Sequence, residues 1–78
     1  MKRINKILGI PEEEAVRFPD DCDNIRFYMQ SKHSIFRTLS NQKIAEMWSS
    51  FSDDHYAGWL FVTDDRLISF AAWLEEDI

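Results

Sequence analysis

Apolar residues recur at helical spacing in several stretches of this chain. The clearest is Ile44, Met47, Trp48 and Phe51, at i, i+3, i+4 and i+7, with Gln42, Lys43, Glu46, Ser49 and Ser50 on the other face. Ser40 supplies an N-cap, so the pattern predicts a helix near Ser40–Phe51. Leu67, Phe70, Ala71 and Leu74 repeat the spacing, with Ile68 and Trp73 widening the apolar face, and predict a second helix near Thr63–Glu76. Ile44, Met47, Trp48, Phe51, Leu67, Phe70 and Leu74 are expected in one core. Ile4, Ile7 and Leu8 form a short helical turn stopped by Gly9 and Pro11. Pro11 also suits the first position of a further helix, which would place Glu12, Glu13 and Glu14 at its positive end and close at Pro19.

Two stretches are ambiguous. As a helix, Asp20 to Leu39 puts Ile25, Tyr28, Met29, Phe36 and Leu39 on one side. As a hairpin at about 25–38, it alternates Ile25, Phe27 and Met29 around a turn near Ser31–Ser34. The turn lacks Gly or Asn-Gly, which favours the helix. Trp59-Leu60-Phe61-Val62 fits a buried strand or part of a helix. An internal echo favours the helix: Ser52-Asp53-Asp54 and Thr63-Asp64-Asp65 each combine a capping hydroxyl with two carboxylates. The expected architecture is a mainly α, compact single domain of short helices over residues 1–78, with a small α+β fold as the alternative.

At 78 residues the core is small, and a single cysteine, Cys22, allows no internal disulfide. The 3 Trp, 2 Tyr and 6 Phe are the expected source of stability, and 2 Gly with 2 Pro argue against disorder. A second copy of the chain could add to that stability, so a homo-oligomer stays open. No apolar run reaches the length of a membrane span. The basic start, Met1 to Lys6, meets Pro11 and the glutamates too soon for a secretory leader. The cytoplasm is the expected compartment, and a lone reduced thiol fits it.

The net charge of −5 falls in blocks. Lys2, Arg3 and Lys6 make the start basic, and acids dominate from Glu12 to Asp23. Arg26, Lys32, Arg37 and Lys43 leave a positive excess over 25–51. Seven acids against Arg66 make the final block the most acidic. The blocks imply polarised surface patches, without the dominant basic face a general nucleic-acid binder needs.

The residues that bear chemistry form no recognised constellation. Cys22, His33 and His55 lack any motif for a nucleophile and its base, so no catalysis is expected. Asp20, Asp21, Asp23 and Asn24 resemble an oxygen-ligand loop, but Ile25 and Arg26 stand where a ligand and a glycine are required. No metal or other cofactor is expected. Ser40–Phe51 has the character of the first helix of a helix-turn-helix. Its groove-reading segment would then open on Asp53-Asp54, whose carboxylates repel phosphate, so direct nucleic-acid binding is disfavoured. A DNA-binding regulator of that type is the alternative function.

The preferred function is a small acidic protein-binding protein, an inhibitor or accessory factor. It would dock on a basic surface of a partner protein, including one that normally holds nucleic acid, as a mimic. In overall type the chain is similar to the small inhibitor and accessory proteins of phages and mobile elements, a likeness that no motif carries. If Asp53, Asp54, Asp64 and Asp65 share one helix-start edge, they form a negative rim beside Tyr56 and Trp59, the candidate aromatic anchors.

Overall fold

A computed structural model describes residues 1–12, 22–55 and 61–78. Among them are four α-helices: α1 (Arg3–Leu8), α2 (Cys22–Met29), α3 (Asn41–His55) and α4 (Asp64–Glu75). A 3-10 turn (Ser34–Arg37) lies between α2 and α3. The described residues form no strand, only an isolated antiparallel bridge between Lys2 and Asp77. The mainly α expectation holds, and the hairpin at 25–38 is replaced by a helix, a turn and the 3-10 segment.

Two helices start where their caps predict. The Ser40 hydroxyl accepts from the Lys43 amide at 3.1 Å, and the Thr63 hydroxyl accepts from the Arg66 amide at 3.3 Å. The third cap does not form. Helix α3 runs through Ser52, Asp53 and Asp54 to His55, so this half of the echo ends a helix instead of starting one. Buried Ser52 donates back to the Trp48 carbonyl at 2.9 Å, and the His55 ring packs on Phe51 at 4.4 Å. These contacts along the helix carry it one turn beyond Phe51. Phe61 and Val62 lie in irregular chain before α4.

The seven residues expected in the core are all buried, joined by Ile4, Ile25, Met29, Phe36 and Trp73. At its centre, Trp48, Phe51, Phe70 and Trp73 close the α3–α4 seam. Trp48 meets Phe70 edge-on at 5.0 Å between centroids, and Phe51 meets Trp73 at 5.6 Å. Ile68 departs from expectation: it is 58% exposed, on the outer face of α4. The radius of gyration, 11.4 Å, matches the value of about 11.5 Å for one compact domain of this length.

Arg26 fixes α2 against the segment that follows. Its guanidinium donates to the carbonyls of Phe36 and Leu39 at 2.7 and 2.6 Å and to Asn41 Oδ1 at 2.6 Å. One planar fork thus satisfies the end of the 3-10 turn and reaches the first residue of α3. Pro11 and Glu12 are in irregular chain; the rest of the helix expected from Pro11 to Pro19, and the Asp20-Asp21 half of the oxygen-ligand loop, lie outside the described residues.

Candidate protein-docking site

Helix α2 divides its residues between two faces. Cys22, Ile25 and Met29 are buried, while Asn24, Phe27, Tyr28 and the following Ser31 and Lys32 fall along another line. That second line forms one wall of an open groove of about 590 Å³. Val62, Thr63, Asp64 and Leu67 form the other wall, so the first turn of α4 faces α2. Pockets of this size hold small ligands or one or two large side chains. Phe27 stands 77% exposed on the rim and Phe61, just before the α4 wall, 79%. Contiguous exposed apolar surface marks interaction sites, whereas an apolar side chain exposed singly is ordinary.

The four candidate aspartates do not share an edge. Asp54 ends α3 and accepts from the Trp73 indole N–H at 2.8 Å, near the far end of α4. Asp64 and Asp65 open α4, nine and eight residues before Trp73, which is about 12–14 Å along a helix. Asp64 lines the groove and Asp65 is exposed beside it; Asp53 is exposed at the end of α3. Tyr56 and Trp59, the candidate anchors, lie outside the described residues.

The sequence reading missed Phe27 as a candidate anchor. A signal was present, because the helical reading of 20–39 leaves Phe27 off the line of Ile25, Tyr28 and Met29.

The charge blocks also meet differently than a reading along the chain implies. The basic start pairs with the acidic end. Lys2 Nζ lies 2.6 Å from Glu75, Arg3 pairs with Glu76, and His33 Nε2 lies 2.6 Å from the other Glu75 oxygen. The Arg3 amide donates to the Glu76 carbonyl at 2.7 Å, and its guanidinium stacks 4.5 Å from the Trp73 ring centre. The hydrogen bond from Lys2, with its charge, holds the Glu75 carboxyl below its ordinary pKa; the same contact raises Lys2. The acids after Leu74 therefore do not form an open negative patch. Among the described residues Asp64 and Asp65 have no ion-pair partner.

The positive excess of 25–51 is likewise partly internal. Arg26 serves the 3-10 turn, and Lys43 is buried with its ammonium on the Ile10 carbonyl at 2.6 Å. Residues 53–55 complete α3, so no groove-reading helix begins there. His33 is engaged with Glu75, the His55 ring with the Phe51 carbonyl at 3.1 Å, and the Cys22 thiol is buried. No described group of three or more His, Cys, Asp or Glu side chains is placed to hold a metal, and no described helix is long and apolar enough to cross a membrane. The chain matches no protein-family model, no curated protein and no solved structure with which it was compared.

Proposed function

We propose that this chain is a non-catalytic protein-binding domain that docks on a basic partner through the α2–α4 groove. One observation carries the reading: an open groove bordered by an exposed Phe27 and by Asp64, which has no ion-pair partner among the described residues. The aromatic supplies area to bury, and the carboxylate supplies long-range attraction and partner choice. Occupying a basic surface would also block a polyanion from it, which makes an inhibitor or accessory role the natural use. The cytoplasm suits this role and the reduced, buried Cys22.

The internal engagement of Arg26 and Lys43 weighs against the DNA-binding alternative, since neither charge is offered to a phosphate backbone. Affinity capture from the producing cell, read by mass spectrometry, tests the proposal. Wild-type bait should retain one protein with a basic surface, and Phe27→Ser and Asp64→Lys baits should lose it. Equal retention by all three baits would move the docking site elsewhere. Salt-sensitive gel shift of duplex DNA would favour the regulator.

A further inference from the structure

We infer that residues 1–8 form a strap that swings about Gly9 as one unit, uncovering Trp73 and the acids at the end of α4 while the α3–α4 seam stays closed. The strap has a post, a hinge, an anchor and a latch. Buried Lys43 holds the Ile10 carbonyl at 2.6 Å, and the Ser40 hydroxyl donates to Glu12, so the chain beyond the hinge is fixed to α3. Gly9 ends α1 next to that post, and its backbone is the freest in the segment. Ile4 is the one buried residue of α1; Ile7 and Leu8 pack only partly against the core. The latch is Met1 to Arg3, which meets Asp77, Glu75 and Glu76.

The strap is held more weakly than what it rests on. Helix α1 spans six residues, and no side chain caps its start. A helix that short does not hold itself together in water. Each latch pair is exposed on at least one side, and such pairs contribute little and are screened by salt. Helix α3, by contrast, buries Ile44, Ala45, Met47, Trp48 and Phe51. Elements with few buried apolar contacts open before the core does. Lifting the strap takes the Arg3 guanidinium off the Trp73 ring, 4.5 Å from its centre, and frees Glu75 and Glu76 from Lys2 and Arg3. The closed strap therefore covers an aromatic and acidic surface, and ionic strength sets how often that surface is offered. It lies at the opposite end of α4 from the α2–α4 groove, and its opening is independent of docking there.

Native-state amide exchange on the full chain tests this. The Arg3 amide donates to the Glu76 carbonyl, the Lys6 amide to the Lys2 carbonyl and the Ile78 amide to the Met1 carbonyl. These three should share one protection factor, about tenfold or more below that of Trp48. Low concentrations of urea should hardly change it, because the opening bares little surface. Ile44→Val, deep in α3, should speed exchange at Trp48 about twofold to tenfold and leave the three unmoved. Raising NaCl from about 0.02 to about 0.5 M should speed the three about fivefold. Glu75→Gln with Glu76→Gln should speed them at low salt and remove most of that response. Gly9→Ala has room for its methyl, 3.5 Å from the nearest carbonyl oxygen, and should slow them about twofold to fivefold by restricting the open chain.

Exchange of all three at the rate of Trp48, following it in urea and in Ile44→Val, would overturn the inference, because the strap would then open only with the whole domain. So would protection that rises stepwise along the chain, the mark of a fraying end, or exchange indifferent to salt.

Discussion

Helix α4 meets α3 on one side and α2 on another, and the two junctions are built differently. Toward α3 it brings Phe70 against Trp48 and Phe51, and Trp73 against Phe51, a connected cluster of four rings with little exposure. Asp54 closes that seam by accepting the indole N–H. Toward α2 the first turn of α4 stands off, leaving a groove with Phe27 on its rim. Both junctions use aromatic residues and aspartates, so residue type does not distinguish them. The difference lies in whether each group finds its complement within the chain. Rings with rings and carboxylate with indole make a stabilising seam; a ring and a carboxylate left open make the groove on which the proposed docking rests.

The largest effect should come from breaking the closed seam. Trp48→Ala removes a fully buried indole and should cost about 3–5 kcal/mol, comparable to the whole stability of a domain this small. Denaturant titration reads the loss, and a near-neutral result would remove Trp48 from the core.

Next in size is the wall of the open side. Arg26→Ala strips charged hydrogen bonds from the Phe36 and Leu39 carbonyls and should cost about 1.5–3 kcal/mol. Arg26→Lys should recover only part of it, because an ammonium cannot span three acceptors as the planar fork does. Thermal melts of the two variants check the order.

A finer test separates the neighbouring aspartates. Asp54→Ala leaves the Trp73 N–H without its acceptor and should cost about 1–2 kcal/mol. Asp53→Ala should be neutral or slightly stabilising, because it removes a negative charge from the negative end of α3. Equal destabilisation by both would return the pair to a capping role.

The smallest effect sharpens the contrast between the acid pairs of α4. Glu75 is held below its ordinary pKa by Lys2, so its contribution is present above the unfolded-state pKa and lost as pH falls through the folded one. Lys2 is raised, so its contribution is lost as pH rises through its folded pKa in the alkaline range. Wild type should melt above Glu75→Gln at neutral pH, and the gap should close below about pH 4. A gap that persists in acid would assign it to packing instead of charge.

Much of the architecture was legible because periodicity and caps act locally. Ser40 and Thr63 each cap the helix their spacing announces, and the seven core positions follow from one face of two helices. Ser52-Asp53-Asp54 misled for a physical reason. A hydroxyl followed by two acids suits a helix start, but the acceptor role of Asp54 depends on Trp73 across the fold, and no local pattern reveals that partner. The charge blocks misled similarly, since chain order does not show that the basic start lies against the acidic end. The groove was half legible: Phe27 falls off the helical core line, but only the packing of α4 beside α2 makes that position a rim.

The junction of Arg3 with Glu76 also bears on the order of folding. The two residues are 73 positions apart. Closing so long a loop costs about 1.8 kcal/mol more chain entropy than closing one of ten residues. The exposed ion pairs there return little until Ile4 has a formed core to enter. The junction is therefore expected to form late, after the rings of α3 and α4 have met. Cutting it should leave the refolding rate nearly unchanged and appear almost wholly as faster unfolding. On that expectation the clasp between α1 and the end of α4 governs how long the native state lasts more than how quickly it forms.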